Sequence, residues 1–144
     1  MKKLVIVTNI PSPYRVDFFC YLQKNVKDYE IYIIYASKNE DNRIWEIDKQ
    51  KIQNSYFLDS WTWKIPLRED VKYVHFSKGV TTLLKKLQPD IIVGSEYNPT
   101  ILQVIRYCKK YDVPYVSWTD GTLHSERNIN KIQKYLRHYV IRHA

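Results

Sequence analysis

Residues 89–99 read Pro-Asp-Ile-Ile-Val-Gly-Ser-Glu-Tyr-Asn-Pro, and the rest of the predicted fold follows from this segment. The apolar run 91–93 is typical of a short buried strand, which Gly94 and Ser95 bring to an end. Asn98 and Pro99 are residue types preferred at the N-cap and the first position of a helix. The segment therefore predicts a parallel strand, a loop at its carboxyl end and a crossover helix. In open α/β sheets, ligands bind at such loops.

The same strand-then-helix pattern continues in both directions along the chain. Short runs rich in β-branched and aromatic residues predict strands at 4–7, 31–35, 55–59, 91–93 and 114–118. Residues 11–13 are expected to form an extended loop. Helices are expected from about residue 14 to about residue 26, over 79–88, after Pro99, and from residue 125 or 128 to about residue 140. This alternation predicts an α/β fold with a Rossmann-like, doubly wound parallel sheet in a three-layer α/β/α arrangement.

Right-handed crossovers predict the strand order 3-2-1-4-5, with the switch point between the first and fourth strands. The residues that follow these two strands are then expected on opposite walls of one crevice: Pro13, Tyr14 and Arg15 on one wall, and Glu96, Tyr97 and Asn98 on the other. Asp120 follows the fifth strand, so we expect it one strand further along, about 5 Å away.

Two carboxylates at this predicted edge are the candidate catalytic groups. Glu96 comes directly after a buried strand and needs a partner there, which Arg15 could supply across the switch point. The alternative is a structural ion pair or an acid that caps the next helix. Asp120 is a second carboxylate of this kind, next to the flexible Gly121. The alternative to a catalytic role is that these two residues form an ordinary Asp-Gly turn. His124 could reach the same crevice.

Residues 61–66 alternate between apolar and polar types, which favours an edge strand or an extended arm. Its two tryptophans, Trp61 and Trp63, could stack on a sugar or lie at a membrane interface. We expect instead that one ring packs inward while the other stays half exposed. Residues 38–54 are mostly polar and charged, which predicts a surface connection.

The composition indicates one folded domain over residues 1–144. Its 13 tyrosines and 4 tryptophans argue against disorder, and no apolar run is long enough to span a bilayer. Cys20 and Cys108 lie on the apolar sides of predicted helices, as core cysteines do, and a cytoplasmic protein is expected. The net charge of +8 favours an anionic partner: phosphates, an acidic lipid surface or nucleic acid. The alternative is a solvated surface that is basic without such a partner.

Several cofactor motifs are absent from the sequence. Pro11, Ser12 and Pro13 occupy the place where a dinucleotide-binding fold carries G-x-G-x-x-G, and there is no Walker loop and no D-x-D. The spacings of His124, His138 and His143 do not bring two ligands to one helical face. We therefore expect that this domain binds neither a metal nor a cofactor.

The last segment predicts a basic amphipathic helix. Arg127, Lys131, Lys134 and Arg137 are the candidates for contact with an anionic membrane surface. The alternative is a surface helix whose apolar residues Ile129, Ile132 and Leu136 pack into the core, and we favour this for the apolar face. The pattern runs to Ala144 without a C-capping signal, so we expect that the chain is part of a longer protein.

Taken together and in order, several segments resemble the N-terminal domain of family-four glycosyltransferases. The similarity covers nearly the whole chain and is carried by residues 10–15 (Ile-Pro-Ser-Pro-Tyr-Arg), 63–66 (Trp-Lys-Ile-Pro), 89–94 with 97–100, and 114–118 followed by Asp120 and Gly121. The resemblance implies one half of a GT-B fold, in which an N-terminal domain holds the acceptor. The resemblance also implies a C-terminal domain that binds the nucleotide-sugar donor, and we expect that domain to lie outside this chain.

The family also implies metal-independent transfer with retention of anomeric configuration. In several members a residue at the end of the fifth strand, often a histidine, faces the reacting sugar. This chain has Asp120 there, and acidic residues also occur at this place in relatives. We therefore expect an acceptor-side domain that is inactive alone and serves surface polysaccharide synthesis in a bacterial cytoplasm or at the inner face of the membrane. Its partners would be a saccharide or glycolipid acceptor and the missing C-terminal domain. The alternative is a non-catalytic Rossmann-like module that binds nucleotides or nucleic acid, although no nucleic-acid-binding motif is present.

Overall fold

The computed structural model describes residues 1–38, 48, 51, 53–66, 71–122, 127 and 129–144. Within these ranges the chain forms seven strands and four helices. In order they are β1 (Lys2–Thr8), α1 (Pro13–Asn25), β2 (Tyr29–Tyr35), β3 (Ser55–Phe57), β4 (Asp59–Pro66), β5 (Val71–Lys78), α2 (Val80–Leu87), β6 (Ile91–Ser95), α3 (Pro99–Tyr111), β7 (Tyr115–Trp118) and α4 (Lys131–Arg142).

Five of the described strands form a parallel sheet in the order β3-β2-β1-β6-β7. This is the predicted order, with the hairpin β4-β5 inserted between β3 and α2. In register, Ile6 of β1 lies between Ile33 of β2 and Val93 of β6. The switch point therefore falls between β1 and β6, and the loops after these two strands lie side by side.

The central strand β1 is covered on both faces, which explains why its sequence is continuously apolar rather than alternating. Val5 and Val7 belong to a buried cluster that includes Leu84 of α2 and many residues of α3. Ile6 points to the opposite side and packs in a second cluster with Phe19 of α1. Helices thus cover both faces of the sheet, and the predicted three-layer α/β/α architecture is confirmed.

Two local features hold the β6–α3 segment in place. The Asn98 side chain caps α3 by accepting a hydrogen bond from the Ile101 N–H at 2.9 Å, as predicted. Its Nδ2 also donates to Asn9 Oδ1, which ties this loop to the loop after β1. Within β6, a Cβ on Gly94 would lie 2.7 Å from Cε2 of the Tyr115 ring, so only glycine fits between the strand and that ring.

The segment around the two tryptophans differs from the prediction. Residues 59–66 and 71–78 form an antiparallel hairpin, whose second strand was not anticipated. Trp61 and Trp63 are 67% and 63% exposed, so the expectation that one ring packs inward is wrong. Residues two apart in a strand lie on the same face, and here that shared face points away from the domain.

The last helix also differs from the prediction. It begins at Lys131, after a capping box in which the Asn130 and Gln133 side chains each bond the other's backbone N–H. Val140 is fully buried, but Ile132 is 71% exposed, so the expected burial of the whole apolar face is wrong. The reason is that α4 packs on α3 through its C-terminal half, and its first turns extend past that contact.

Among the described helices, none combines the length and the apolar composition that crossing a bilayer would require. The longest, α1 and α3, have 13 residues each.

Candidate functional site

The crevice predicted at the switch point is organised around Arg15, whose side chain is only 8% exposed. Arg15 lies in the first turn of α1, which begins at Pro13 because proline suits the first position of a helix. From there the guanidinium extends over the carboxyl ends of three strands. It contacts residues from the end of β1, from the end of β6 and from the segment after β7.

Both terminal nitrogens of Arg15 donate hydrogen bonds to protein oxygens. Nη1 donates to Thr8 Oγ1 at 2.6 Å and to Ser95 Oγ at 3.2 Å. Nη2 donates to Glu96 Oε1 at 3.3 Å and to Asp120 Oδ2 at 3.0 Å. The pairing of Glu96 with Arg15 that the sequence suggested is therefore present, and Asp120 shares the same nitrogen.

Aromatic rings cover the same guanidinium. Its Cζ lies 5.4 Å from the centroid of Trp118 and 5.9 Å from that of Tyr14, within cation–π range. Burial lowers the pKa of Arg15, but Tyr14, Asp120 and Glu96 together raise it by more, and the net pKa lies above its ordinary value. Arg15 is thus a permanent cation that holds two carboxylates close together.

The two carboxylates are far more accessible than the arginine that holds them. The side chain of Glu96 is 43% exposed and that of Asp120 is 59% exposed. Glu96 also has a φ of 78°, in the left-handed region that residues with a side chain rarely adopt. Such backbone strain costs on the order of 1 kcal/mol and is concentrated at functional sites, so its presence here supports a role for this loop.

The remaining predicted residues on the two walls differ in accessibility. Pro13 and Tyr14 are exposed at the start of α1, so both can meet a ligand. Tyr97 is half-buried against the core, and Arg137 of α4 lies over its ring at 5.0 Å. Asn98 is engaged as the cap of α3 and in its bond to the loop after β1.

The segment after β7 is described as far as residue 122. Gly121 is exposed, and its N–H donates to Thr119 Oγ1 at 3.0 Å, which is a local turn of the kind Ser and Thr side chains make. This turn places Asp120 beside Arg15. The predicted site residue His124 lies outside the described residues.

The predicted basic residues do not form a single group. Arg127, Lys131 and Lys134 are exposed, as contact with an anionic surface requires. Arg137 is half-buried over Tyr97 instead, which separates it from the three exposed candidates. The cause is helical geometry, since residue 137 lies on the face of α4 that turns toward the β6–α3 loop.

Three residues of the site were missed in the sequence. Thr8, Ser95 and Trp118 each end a strand of the parallel sheet, and each contacts the Arg15 guanidinium. A signal was available, because polar or aromatic residues that end neighbouring parallel strands meet at one edge. The sequence did not show in which direction the Arg15 side chain extends from α1, so its contacts with these three residues could not be predicted.

The arrangement is suited to stabilising positive charge on a ligand. Two carboxylates share one guanidinium at the carboxyl edge of the sheet, so the formal charges of Glu96 (−1), Asp120 (−1) and Arg15 (+1) sum to −1 there. Exposed carboxylates can also accept hydrogen bonds from sugar hydroxyls. Among the described residues, no group of three or more His, Cys, Asp or Glu side chains is arranged to hold a metal ion.

Comparison with known proteins supports the fold. No family model matches the chain, and no curated protein matches it in sequence. Among solved structures, the chain is similar to UDP-GlcNAc 2-epimerase from Methanocaldococcus jannaschii, with a TM-score of 0.51 and 15% sequence identity. The match covers 97% of this chain and 37% of the epimerase chain. The chain therefore has the fold of one GT-B-like, Rossmann-like half, and it spans about a third of the enzyme that it resembles.

Proposed function

We propose that this chain is the acceptor-side domain of a retaining glycosyltransferase of the family-four type. The enzyme transfers a sugar from a nucleotide-sugar to a saccharide or lipid-linked acceptor in surface polysaccharide synthesis. One observation carries the proposal: Glu96 and Asp120 meet on a single guanidinium at the switch point of a GT-B-like half. That is the edge where ligands of open α/β sheets bind. The ordered set of family-like segments supports it further.

In this proposal, Glu96 and Asp120 are the catalytic residues. During transfer, the bond between the anomeric carbon and the donor phosphate oxygen breaks, and a bond to an acceptor hydroxyl oxygen forms. The hydroxyl proton leaves with the departing phosphate, and the sugar is cation-like in between. Carboxylates held in advance stabilise such a charge, because they need no rearrangement at the moment of reaction.

The neighbouring residues have supporting roles. Tyr14 with Pro13 offers an exposed surface to the acceptor, and Tyr97, Asn98 and Gly121 complete the walls. Both Nη atoms of Arg15 already bond protein oxygens, so Arg15 acts as a positioning residue for the two acids. A direct bidentate contact from Arg15 to a phosphate would require exchange of those bonds.

This function requires a donor-binding partner domain and an acceptor. The donor nucleotide-sugar binds a C-terminal half outside this chain, and the cleft closes between the halves. The enzyme works in the cytoplasm, at the inner face of a membrane that presents the glycolipid acceptor. Exposed Arg127, Lys131 and Lys134 support contact with its anionic lipids. Nucleic acid is not a partner in this proposal.

The test begins with the gene beyond the codon for Ala144. A second Rossmann-like half with a paired-glutamate donor motif supports the proposal, whereas a natural stop codon contradicts it and favours a binding module. The complete polypeptide is then assayed for transfer from nucleotide-sugars, with product configuration read by NMR. We expect a retained anomeric configuration, and no transfer by the 144-residue chain alone.

Variants of the complete polypeptide test whether Glu96 and Asp120 are catalytic. Glu96→Gln and Asp120→Asn keep the size of each side chain but remove its charge, and we expect kcat to fall about 100-fold for each. Asp17→Asn is the matched control, because Asp17 pairs with Lys51 on the surface at 2.8 Å, away from the site. Activity within twofold of the parent for both site variants would contradict the assigned catalytic roles.

A further inference from the structure

The hairpin formed by β4 and β5 is inverted relative to ordinary amphipathic strands. Its outward face carries Trp61, Trp63 and Phe76, which are 67%, 63% and 37% exposed. Its inward face carries His75 and Ser77, which are 2% and 4% exposed. Antiparallel sheets normally place apolar residues inward and polar residues outward. This hairpin therefore presents its aromatic face to solvent while burying polar groups.

Specific hydrogen bonds fix this orientation. Ser77 Oγ donates to the Ala36 carbonyl at 2.9 Å and accepts from Thr100 Oγ1 at 2.9 Å. Gln103 Nε2 donates to the Ser77 carbonyl at 3.1 Å. A register shift of one residue would turn the aromatic face inward, but it would leave these buried polar groups without partners. The outward aromatic face is therefore built into the fold.

The same bonds place the hairpin at the ligand-binding edge of the sheet. Ala36 directly follows β2, and Thr100 is in the first turn of α3, two residues after the Asn98 cap. Both positions belong to the carboxyl edge that also carries Glu96 and Asp120. The aromatic face thus belongs to the same edge as the candidate active site.

The aromatic face forms one side of a cavity of about 530 Å³. We call this face the aromatic platform and define it as Trp61, Trp63 and Phe76. Trp63 and Phe76 lie with ring centroids 4.9 Å apart, and Lys78 Nζ lies 4.2 Å from the Trp61 centroid. Gln103 and Lys78 contribute hydrogen-bonding groups to the cavity wall. The cavity therefore combines aromatic rings with the Gln103 amide and with the Lys78 ammonium, which lies over one face of Trp61 and leaves the other face open to a ligand.

We propose that the aromatic platform is a saccharide subsite that binds a pyranose unit of the acceptor. A pyranose ring presents C–H groups on its faces and hydroxyls around its rim, so it matches rings flanked by an amide and an ammonium. Binding sites generally combine apolar and aromatic walls with a few polar groups that set orientation. Lys78 favours an acidic sugar over a neutral one. Identifying this saccharide as the acceptor rests on the proposed function, whereas binding itself does not.

The test uses the four indole N–H signals of the chain in ¹H–¹⁵N spectra, assigned by single Trp→Phe variants. Cellobiose and glucuronic acid are titrated as neutral and acidic probes. We expect the Trp61 and Trp63 signals to shift and saturate at millimolar concentrations, with glucuronic acid binding more tightly. Trp118, beside Arg15, reports separately on the candidate active site.

Substitutions then test the platform itself. Trp61→Ala and Trp63→Ala should each weaken binding about tenfold, since each removes one stacking surface. Both side chains are exposed, so the fold should persist. Ile65→Ala is the matched control, because Ile65 is an exposed apolar residue of β4 that does not line the cavity. It should bind as the parent does.

Three outcomes would overturn the inference. The first is no shift of Trp61 or Trp63 with either sugar, and the second is equal weakening by Ile65→Ala. The third is a response of these indoles to phosphatidylglycerol vesicles but not to sugars, which would identify a membrane contact. A shift of Trp118 alone would overturn the platform but support the proposed function. If sugars bind the aromatic platform but the complete polypeptide transfers no sugar, the platform is supported and the proposed function is contradicted.

Discussion

A single buried arginine shapes the candidate site more than either of the acids that it holds. Arg15 bonds oxygens from β1, from the end of β6 and from the segment after β7, and it packs against Trp118. The guanidinium suits this position because it is planar and presents several donors in a fixed geometry. Lysine would carry the same charge but could not reach four oxygens at once. The side chain therefore has a structural and an electrostatic role together.

For the single residue Arg15, we predict that Arg15→Lys lowers the free energy of unfolding by about 2 kcal/mol, because Thr8 and Ser95 lose a buried donor. Urea denaturation followed by circular dichroism measures the change. Asp17→Asn, which breaks an exposed pair with Lys51, should leave stability nearly unchanged. If both variants change the free energy of unfolding equally, the Arg15 contacts contribute no more to stability than an exposed ion pair does.

At the scale of elements, α4 is packed along only part of its length. Val140 is buried and Lys109 of α3 lies 3.1 Å from His143, whereas Ile132 and Tyr135 are about 70% exposed. A groove of about 530 Å³ separates the two helices, lined by Leu102, Arg106, Lys109, Lys110, Tyr135, Leu136 and Tyr139. The exposed part of α4 thus combines apolar side chains with neighbouring lysines, as helices that lie on anionic membranes do.

We predict that the chain sediments with vesicles containing phosphatidylglycerol and that Lys131→Glu/Lys134→Glu reduces this binding more than tenfold. Each base near an anionic surface contributes roughly 1 kcal/mol. Lys24→Glu/Lys27→Glu is the matched control, because it changes net charge equally at exposed positions near the end of α1. If both double variants lose binding to the same extent, net charge alone drives it. If the parent does not sediment, the membrane role of α4 is wrong.

Across the whole molecule, several weak acids have pKa values above their ordinary values, through burial or through a hydrogen bond. Burial raises the pKa of the Cys108 thiol from 9.0 to about 11. The hydrogen bond to Glu30 raises the pKa of Tyr32 to about 12, and burial raises the pKa of Tyr35 and of Tyr115. In each case the folded state favours the protonated, neutral form. Stability therefore depends on these groups keeping their protons.

The sign of the pH dependence follows from these raised pKa values. The contribution of Cys108 is fully present below its unfolded pKa of 9.0 and is lost as pH rises through about 11. We expect the free energy of unfolding to fall over this interval, with Cys108 contributing up to about 2 kcal/mol. Urea titrations across the interval measure it. Cys108→Ala should be less stable at neutral pH but show a shallower decline, and an unchanged slope would exclude this role for the thiol.

Strand order, the three-layer architecture, the Asn98 cap and the meeting of Arg15 with Glu96 could all be predicted from the amino-acid sequence. They follow from hydrophobic periodicity, capping preferences and the handedness of crossovers, all of which act over a few residues or obey general topological rules. The nitrogen that Asp120 shares with Glu96, the outward-facing tryptophans of β4 and the exposure of Ile132 could be seen only in the folded chain. Those outcomes depend on packing between segments far apart in the chain, which local patterns do not encode.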